Sequence, residues 1–255
     1  MKILILPTKE KAVERAAGIL LAQVRAKPDC ILGLATGGTM LDLYRVLVAE
    51  VTSTGLNVGQ ITTFNLDEYV GLAPDHPNSY HAYMAESLFG PLNLAPSQTH
   101  LPIGDAPDPD GEAQRYDQLI SSLGGIDLQL LGIGQNGHIG FNEPSSSLGS
   151  RTRVKTLTRS TRSANEPYFE PGEQVPTLAI TMGIGTILDS QECLLLATGG
   201  AKAAAVAQMV EGAVSASCPA SALQFHARVT VVLDQDAAAD LKNKDYYNFV
   251  HAEGA

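Results

Sequence analysis

Short apolar runs that alternate with helical stretches restrict the fold of this sequence more than any other feature. The runs predict strands at 2–6, 30–35, 61–64, 126–131, 193–198 and 229–233. Apolar residues at helical spacing predict helices at 8–27, after residue 39, and at 79–88, 111–123 and 202–211. Wholly apolar strands that alternate with helices are typical of parallel sheets covered on both faces. The sequence therefore predicts an α/β fold with a mostly parallel sheet.

Composition limits the domain organisation and the kinds of partner. The chain has 255 residues, of which 44% are hydrophobic, and no shift in composition marks a boundary, so one domain is expected over residues 1–255. Its 27 acidic and 17 basic residues leave a net charge of −10. Such a surface repels polyanions. We expect no nucleic-acid or membrane partner, and any anionic ligand needs a local basic site.

The cysteines and the N-terminus indicate the compartment. Cys30, Cys193 and Cys218 are far apart and show no C-x-x-C spacing, which favours neither a disulfide framework nor a zinc site. The apolar run at 3–6 is too short for a signal peptide or a membrane span. A cytoplasmic protein is expected.

Two glycine turns follow predicted strands. In the first, Gly37, Gly38 and Thr39 precede a helix, where free backbone N–H groups and the helix dipole favour a phosphate. An ordinary turn with Thr39 as helix cap remains an alternative. In the second, Lys202 follows a Gly-Gly pair at a helix start, which makes it a candidate second phosphate contact.

Candidate acid–base residues follow two other strands. Asp67 and Glu68 come directly after one strand and would lie in the ligand crevice at the carboxyl ends of the sheet, unless they form a solvated acidic turn. The loop at 131–144 has four glycines in nine residues and carries His138, with Asn136 and Glu143 nearby. Histidine takes and gives protons near neutral pH, so His138 is a candidate catalytic residue.

A basic run lies at 151–162, with five cations and no acidic residue. Such a concentration in an acidic chain fits binding of phosphate or carboxylate, although a solvated face or an interface is an alternative. The segment at 159–174 has little apolar periodicity and ends near Pro171 and Gly172. It is predicted to be a lid over the site.

Several motifs together resemble the glucosamine-6-phosphate deaminase family. They are LGLATGGT (32–39), TFNLDEYVGL (63–72), HPNSY (76–80), LGIGQNGHIGFNEP (131–144), SRTRVKTL (150–157) and AITMGIGTILDS (179–190). The resemblance implies a modified Rossmann-like fold and an enzyme of the hydrolase/isomerase type in amino-sugar catabolism. That enzyme converts glucosamine 6-phosphate and water to fructose 6-phosphate and ammonia, with no cofactor and no metal.

The resemblance also implies roles for individual residues. Asp67 looks like the base that moves the C2 proton toward C1, and His138 looks like the group that opens the sugar ring, supported by Asn136 and Glu143. The residues that would hold the substrate phosphate are Gly37, Gly38, Thr39 and Lys202. One departure concerns the lid: the family usually has Asn-x-Arg with the arginine on the phosphate, whereas this chain has Pro167 in place of that arginine.

Regulation is left open by the sequence. Some bacterial family members are hexamers activated by N-acetylglucosamine 6-phosphate, and the residues that match that effector site are Ser146, Arg153, Lys155 and Thr156. The matching C-terminal tyrosine is ambiguous, because Tyr246 and Tyr247 are slightly out of register. Other members look monomeric and unregulated. A homo-oligomer is therefore possible rather than required.

Two other functions compete with deamination. A sugar-phosphate hydrolase of the 6-phosphogluconolactonase type shares the glycine loop and the fold, but the Asp67 loop disfavours it. A non-catalytic sugar-phosphate sensor would keep the glycine loop and the basic run and lose the proton-transfer pair. Retention of both Asp67 and His138 favours the enzyme.

Overall fold

The computed structural model describes residues 1–169 and 172–251, and within them the strands and helices alternate along most of the chain. The strands are β1 (Lys2–Leu6), β2 (Ile31–Leu34), β3 (Thr62–Asn65), β4 (Asp67–Tyr69), β5 (Thr99–His100), β6 (Leu128–Leu131), β7 (Arg153–Thr156), β8 (Leu178–Thr181), β9 (Glu192–Ala197) and β10 (Val229–Asp234). The helices are α1 (Lys9–Ala26), α2 (Gly38–Thr54), α3 (Tyr80–Met84), α4 (Pro109–Ser122), α5 (Arg159–Asn165), α6 (Ile184–Leu188), α7 (Ala203–Glu211) and α8 (Lys244–Val250).

A sheet with strand order β1-β10-β9-β6-β2-β3-β5 forms the centre of the molecule. All of its paired strands run parallel. Every residue of β2 and β6 is buried, and because successive side chains point to opposite faces, both faces of the sheet are covered. The predicted α/β fold with a mostly parallel sheet is confirmed.

A second, antiparallel sheet was not predicted. It has the order β4-β8-β7, and it pairs Asp67 and Arg153 with Thr181 from opposite sides. Strands β4 and β7 consist mainly of charged or polar residues, so neither shows the apolar run that identifies the central strands. The interpretation of Asp67 and Glu68 as part of a loop or solvated turn is therefore wrong: both lie in a buried strand.

The predicted lid at 159–174 has more regular structure than its weak periodicity indicates. It contains helix α5 and a 3₁₀ turn at Glu166–Tyr168. Thr158 caps α5, since its hydroxyl accepts a hydrogen bond from the Thr161 N–H at 3.2 Å. Residues 170 and 171 of the predicted lid, and residues 252–255 of the predicted single domain, lie outside the described residues.

The described part of the chain bears on three further features: membrane-spanning helices, metal-binding clusters and the state of the cysteines. No helix in the described ranges is long and apolar enough to cross a membrane. In the same part of the chain, no cluster of three or more His, Cys, Asp or Glu side chains is arranged to hold a metal ion. Cys30, Cys193 and Cys218 are free thiols, and each is buried.

Candidate active site

A cavity of about 330 Å³ lies at the carboxyl ends of the central strands. It is formed by residues from the segments 35–40, 66–67, 132–141, 160–165 and 196–202. These segments follow β2, β3, β6 and β9, or belong to α5. Ligands of open parallel sheets bind at this edge, so the fold brings the two glycine turns and the acid–base candidates to one place.

The first glycine turn presents the start of helix α2 to the cavity. Gly37 is the N-cap, with φ 120° and ψ 167°, a conformation that only glycine adopts without strain. No side chain in the described part of the chain caps this helix, so the alternative with Thr39 as cap is wrong. Gly38 is exposed and Thr39 is half-buried beside the cavity. Their N–H groups are available to an anion.

The second glycine turn places Lys202 against the same cavity. Gly199 has φ 84° and is followed by a 3₁₀ turn, Gly200–Lys202, which leads into α7. Lys202 is the one Lys or Arg side chain among the described residues that line the cavity, and no carboxylate of those residues forms an ion pair with it. Burial lowers the pKa of Lys202. An anion in the cavity would supply its counter-charge.

Asp67 lies in β4 with its carboxyl group turned to the cavity and 5% of its surface exposed. Burial raises its pKa to about 8, and the neighbouring Glu68 charge adds to this, while hydrogen bonds with Thr181 and the Phe141 N–H oppose it. A Cβ atom on Gly140 would lie 3.3 Å from Asp67 Oδ2, and Gly140 has φ 54°. Glycine at 140 therefore lets the histidine loop pass close to the carboxyl group.

The loop after β6 groups His138 with Asn136 and Glu143. Asn136 Nδ2 donates to Glu143 Oε2 at 2.8 Å, and the His138 N–H donates to Asn136 Oδ1 at 3.3 Å. His138 Nδ1 lies 3.5 Å from Glu143 Oε2, longer than a normal N–H···O hydrogen bond. The other carboxylate oxygen, Oε1, accepts from the hydroxyls of Thr158, at 3.1 Å, and Thr161. Glu143 is thus held behind the histidine by the first turn of α5 and its N-cap.

The surroundings of Glu143 favour its charged form. Burial raises its pKa, but the His138 ring and hydrogen bonds from Thr161 and Asn136 outweigh this and lower the pKa to about 2. Glu143 is 1% exposed and does not line the cavity, whereas His138 and Asn136 do. Glu143 can therefore act on a bound molecule only through these neighbours.

A chain of hydrogen bonds that sequence analysis missed joins the lid to the first glycine turn. Asn165 Nδ2, in α5, donates to the Tyr69 hydroxyl at 2.9 Å. The Tyr80 hydroxyl donates to the same Tyr69 oxygen at 3.3 Å and is itself bonded to Thr36. Tyr69 and Tyr80 belong to quoted motifs, but nothing in their spacing predicts this contact. The chain fixes the wall of the cavity between Asp67 and the glycines.

The arginines of the segment 159–174 do not line this cavity. Arg159 and Arg162 border a separate cavity of about 340 Å³, together with Glu166 and Glu173. Pro167 lies in the 3₁₀ turn after α5. From the lid, the described residues that reach the first cavity are neutral, namely Ser160, Thr161 and Asn165.

The four candidate effector residues lie outside the cavity. Arg153 and Lys155 are two residues apart on β7 and so share one face of the strand. Arg153 Nη1 donates to Asn142 Oδ1 at 2.8 Å. Its Nη2 atom and the Ser146 hydroxyl are buried without a hydrogen-bond partner in the described part of the chain. Thr156 is exposed at the end of the strand.

Comparison with known proteins shows the family of this chain. The family model for glucosamine-6-phosphate isomerases/6-phosphogluconolactonase matches residues 7–232. The chain belongs to this family. A glucosamine-6-phosphate deaminase from Shewanella loihica is 51% identical over 253 residues, which cover 99% of this chain and 94% of that relative. The resemblance drawn from the motifs is confirmed.

Solved structures of the same family separate its two branches. One, described as a monomeric glucosamine-6-phosphate deaminase, superposes with a TM-score of 0.92 at 49% identity and covers 94% of this chain and 100% of its own. A 6-phosphogluconolactonase from Trypanosoma cruzi has a TM-score of 0.76 at 18% identity and covers 94% and 97%, respectively. The lactonase shares the fold, whereas the deaminase also shares half of the sequence.

Proposed function

We propose that this protein converts glucosamine 6-phosphate and water to fructose 6-phosphate and ammonia. The observation that carries the proposal is one cavity that combines a buried carboxyl group of raised pKa, an imidazole beside a carboxylate, and a lysine that follows a glycine turn. The sequence identity to a named deaminase supports the same reaction. Isomerisation followed by deamination describes this chemistry better than the broader class of hydrolases.

Asp67 is the base of the reaction. Its carboxylate removes the proton from C2 of the open-chain sugar and delivers it to C1, while the C1 oxygen gains a proton and the amine at C2 loses one. Water then hydrolyses the resulting C=N bond at C2 to the ketone and ammonia. A pKa of about 8 keeps much of this group protonated in the free protein at neutral pH. A cationic amine at C2 of the bound sugar would favour the ionised form, because opposite charges nearby lower the pKa of a carboxyl group.

His138 opens the sugar ring. Its imidazole lines the cavity, and it exchanges protons with the ring oxygen and the C1 hydroxyl. Asn136 donates a hydrogen bond to the charged Glu143, whose carboxylate lies 3.5 Å from the imidazole and stabilises an imidazolium when one forms. The two proton-transfer steps are thus assigned to a group on β4 and a group in the loop after β6.

The phosphate lies between the two glycine turns. Gly38 and Thr39 offer N–H groups and the positive end of the α2 dipole, and Lys202 offers a charge that no carboxylate in residues 1–169 and 172–251 pairs with. Gly37 lets the chain turn toward the ligand. This arrangement supplies a local basic site in a protein with a net charge of −10.

The reaction is tested by supplying glucosamine 6-phosphate to the purified protein and measuring ammonia and fructose 6-phosphate. We expect both products in equal amounts. In a parallel assay, 6-phosphogluconolactone tests the hydrolase alternative. Hydrolysis of the lactone without release of ammonia contradicts the proposal, and binding of the sugar phosphate without turnover of either compound identifies a sensor instead.

An effector site at β7 is a second part of the proposal. Arg153 Nη2 and the Ser146 hydroxyl are buried, and no described residue forms a hydrogen bond with either, which favours binding of an anionic ligand there. Lys155 and Thr156 are close along the chain. The effector that the family resemblance implies is N-acetylglucosamine 6-phosphate. Because Arg153 also holds Asn142, Lys155 is the better residue to replace.

N-acetylglucosamine 6-phosphate should therefore lower the substrate concentration at half-saturation in the wild type and have no effect on Lys155→Ala. Size-exclusion chromatography with light scattering, with and without the effector, shows whether activation involves a homo-oligomer. This part of the proposal is contradicted if the wild type is monomeric, its rate depends hyperbolically on substrate concentration, and the effector does not change that rate. The basic residues would then serve the lid or an interface.

A cytoplasmic location is also part of the proposal. It rests on the three buried free thiols, which fit a reducing compartment, and on a phosphorylated sugar substrate. Cell fractionation with an antibody against the protein tests it, and recovery outside the cytoplasmic fraction contradicts it.

A further inference from the structure

The second glycine turn is held from behind by a carboxylate that the mechanism does not use. Asp234, the last residue of β10, is 5% exposed, and both of its carboxylate oxygens accept the Gly199 N–H, at 3.0 and 2.9 Å. Oδ1 also accepts the Ala237 N–H at 2.8 Å. Asp234 therefore ties the turn after β9 to the turn after β10.

The same turn fixes the backbone of Lys202. Gly199 accepts the Lys202 N–H at 3.1 Å through its carbonyl oxygen, while its own N–H is held by Asp234. With φ 84° and ψ 149°, Gly199 has a conformation that other residues avoid. Gly199 thus connects the Asp234 carboxylate to the Lys202 backbone, and the position of Gly199 depends on both hydrogen bonds.

The position of the Lys202 backbone limits where its ammonium can lie. The ammonium is a compact charge at the end of a four-carbon chain, and only the backbone end of that chain is held by the turn. Lys202 has no carboxylate partner in the described part of the chain, and the lid residues that reach the cavity are neutral. The phosphate of the proposed substrate depends on this one cation.

We propose that Asp234 is a positioning residue for phosphate binding, which holds the Gly199 turn so that the Lys202 ammonium faces the phosphate. The inference rests on the proposed function only for the identity of the phosphorylated sugar. Asp234 does not line the cavity and contacts no reacting atom. Its removal should weaken binding of phosphorylated ligands and leave the rate of proton transfer unchanged.

Asp234→Asn tests this proposal. The asparagine amide has one acceptor oxygen for the N–H groups of Gly199 and Ala237, and its own N–H group would face one of these backbone donors. We expect KM for glucosamine 6-phosphate to rise roughly tenfold, with kcat close to the wild-type value. The dissociation constant of glucitol 6-phosphate, a sugar alcohol without a carbonyl group, should rise by the same factor in calorimetry. If Asp234 acted by repelling the phosphate, its neutralisation would tighten binding, and that result overturns the proposal.

A double-variant cycle separates positioning from general stability. Lys202→Ala alone should weaken binding of glucitol 6-phosphate by roughly 10- to 150-fold. In that background, Asp234→Asn should change the affinity less than about twofold, because the group it positions is gone. An equal loss in both backgrounds overturns the proposal.

Asp127→Asn is the matched control. Asp127 is also 5% exposed and also accepts a backbone N–H, from Ile31 at 2.8 Å, but it precedes β6 at the opposite end of the sheet. It should lose stability without any change in KM or in the affinity for glucitol 6-phosphate. A similar loss of affinity in this control shows a nonspecific effect and overturns the assignment.

A second variant covers the case in which Asp234→Asn does not fold. Gly199→Ala disturbs the same turn through its backbone alone, since a Cβ at 199 meets no atom within 4 Å. It should weaken binding of glucitol 6-phosphate, and this loss should disappear in the Lys202→Ala background. Unchanged binding contradicts the proposal. Because binding is measured without turnover, a protein that binds the probe but releases no ammonia refutes the proposed reaction and not the role of Asp234.

Discussion

Asp67 and Glu143 are two buried carboxyl groups of one site, yet their environments shift their pKa values in opposite directions. Asp67 is 5% exposed and Glu143 is 1% exposed, and burial raises the pKa of each. At Asp67 the nearby Glu68 charge adds to burial, and the pKa is about 8. At Glu143 the His138 ring and donated hydrogen bonds outweigh burial, and the pKa is about 2.

The difference shows that the neighbouring groups, rather than the depth of burial, decide the pKa of a buried carboxyl group and therefore its role. Glu143 stays charged over the working range of pH and serves as a fixed negative charge behind an imidazole. Asp67 titrates near neutral pH and is therefore suited to give and take a proton. Groups whose environments separate their pKa values in this way divide acid–base work between them.

Replacing the titrating member of this pair should have the largest effect. Asp67→Asn removes the base, and because every form of the substrate must move its C2 proton, deamination should fall by about 10⁴-fold. Exchange of the C2 hydrogen in deuterated water, followed by NMR, should stop as well. Asp127→Asn, which alters a carboxylate far from the cavity, serves as the control for folding. Full C2 exchange by Asp67→Asn would show that another group is the base.

The histidine beside the fixed charge should matter less. Ring opening proceeds slowly in water without an enzyme, so His138→Gln can still use the open-chain sugar that is present. We expect a loss of about 10²- to 10³-fold in kcat. C2 exchange should continue with the open-chain form at a measurable rate. Loss of exchange as complete as in Asp67→Asn contradicts the separation of the two roles.

Sequence analysis predicted the members of this pair but not what distinguishes them. The strands β2, β6, β9 and β10 are mainly apolar, so their carboxyl ends, and the residues that follow them, are predictable. The second sheet is not, because β4 and β7 are polar and pair with a strand more than twenty residues away along the chain.

The electrostatic environment was the least predictable part of the site. The raised pKa of Asp67 depends on its burial in β4, whereas the sequence placed it in a loop. The lowered pKa of Glu143 depends on the His138 ring and on the hydroxyl of Thr161, which, like that of Thr158, donates to the carboxylate from the start of α5. Threonines are common in strands and at helix caps, so nothing in their spacing marks these two as partners of a carboxylate.

Stability as a function of pH should reveal the two carboxyl groups in opposite windows. Between pH 3.8 and about 8 the folded protein keeps a proton on Asp67 that the unfolded chain has lost, so stability falls as pH rises through this range. Between pH 4.5 and about 2 the unfolded chain binds a proton that folded Glu143 does not, so stability falls as pH decreases.

Urea unfolding at several pH values measures both effects. Asp67→Asn should be more stable than the wild type at pH 8. The difference between the free energies of unfolding of the two proteins should be about 1 to 3 kcal/mol larger at pH 8 than at pH 4. Glu143→Gln should lose about 1 to 3 kcal/mol at neutral pH, since its donors then face an amide, and should depend less on pH below 4.5. Each variant is the control for the other, and identical pH profiles would contradict the opposite shifts.

The smallest effect should come from the charge that adds to burial at Asp67. Glu68 is fully buried in β4, where its carboxylate accepts N–H groups of Tyr80 and His81 at the start of α3, and the His81 ring lies 2.9 Å from it. Glu68→Gln removes the negative charge and keeps the size of the side chain. The acid limb of kcat/KM against pH should therefore move to lower pH, by about one unit or less, because burial is the larger cause of the raised pKa.

Asp127→Asn should leave the limb where it is, and thermal unfolding shows whether Glu68→Gln is folded. If the acid limb of folded Glu68→Gln stays in place, burial alone separates the pKa of Asp67 from that of Glu143. A move of the limb to higher pH would contradict like-charge repulsion between Asp67 and Glu68.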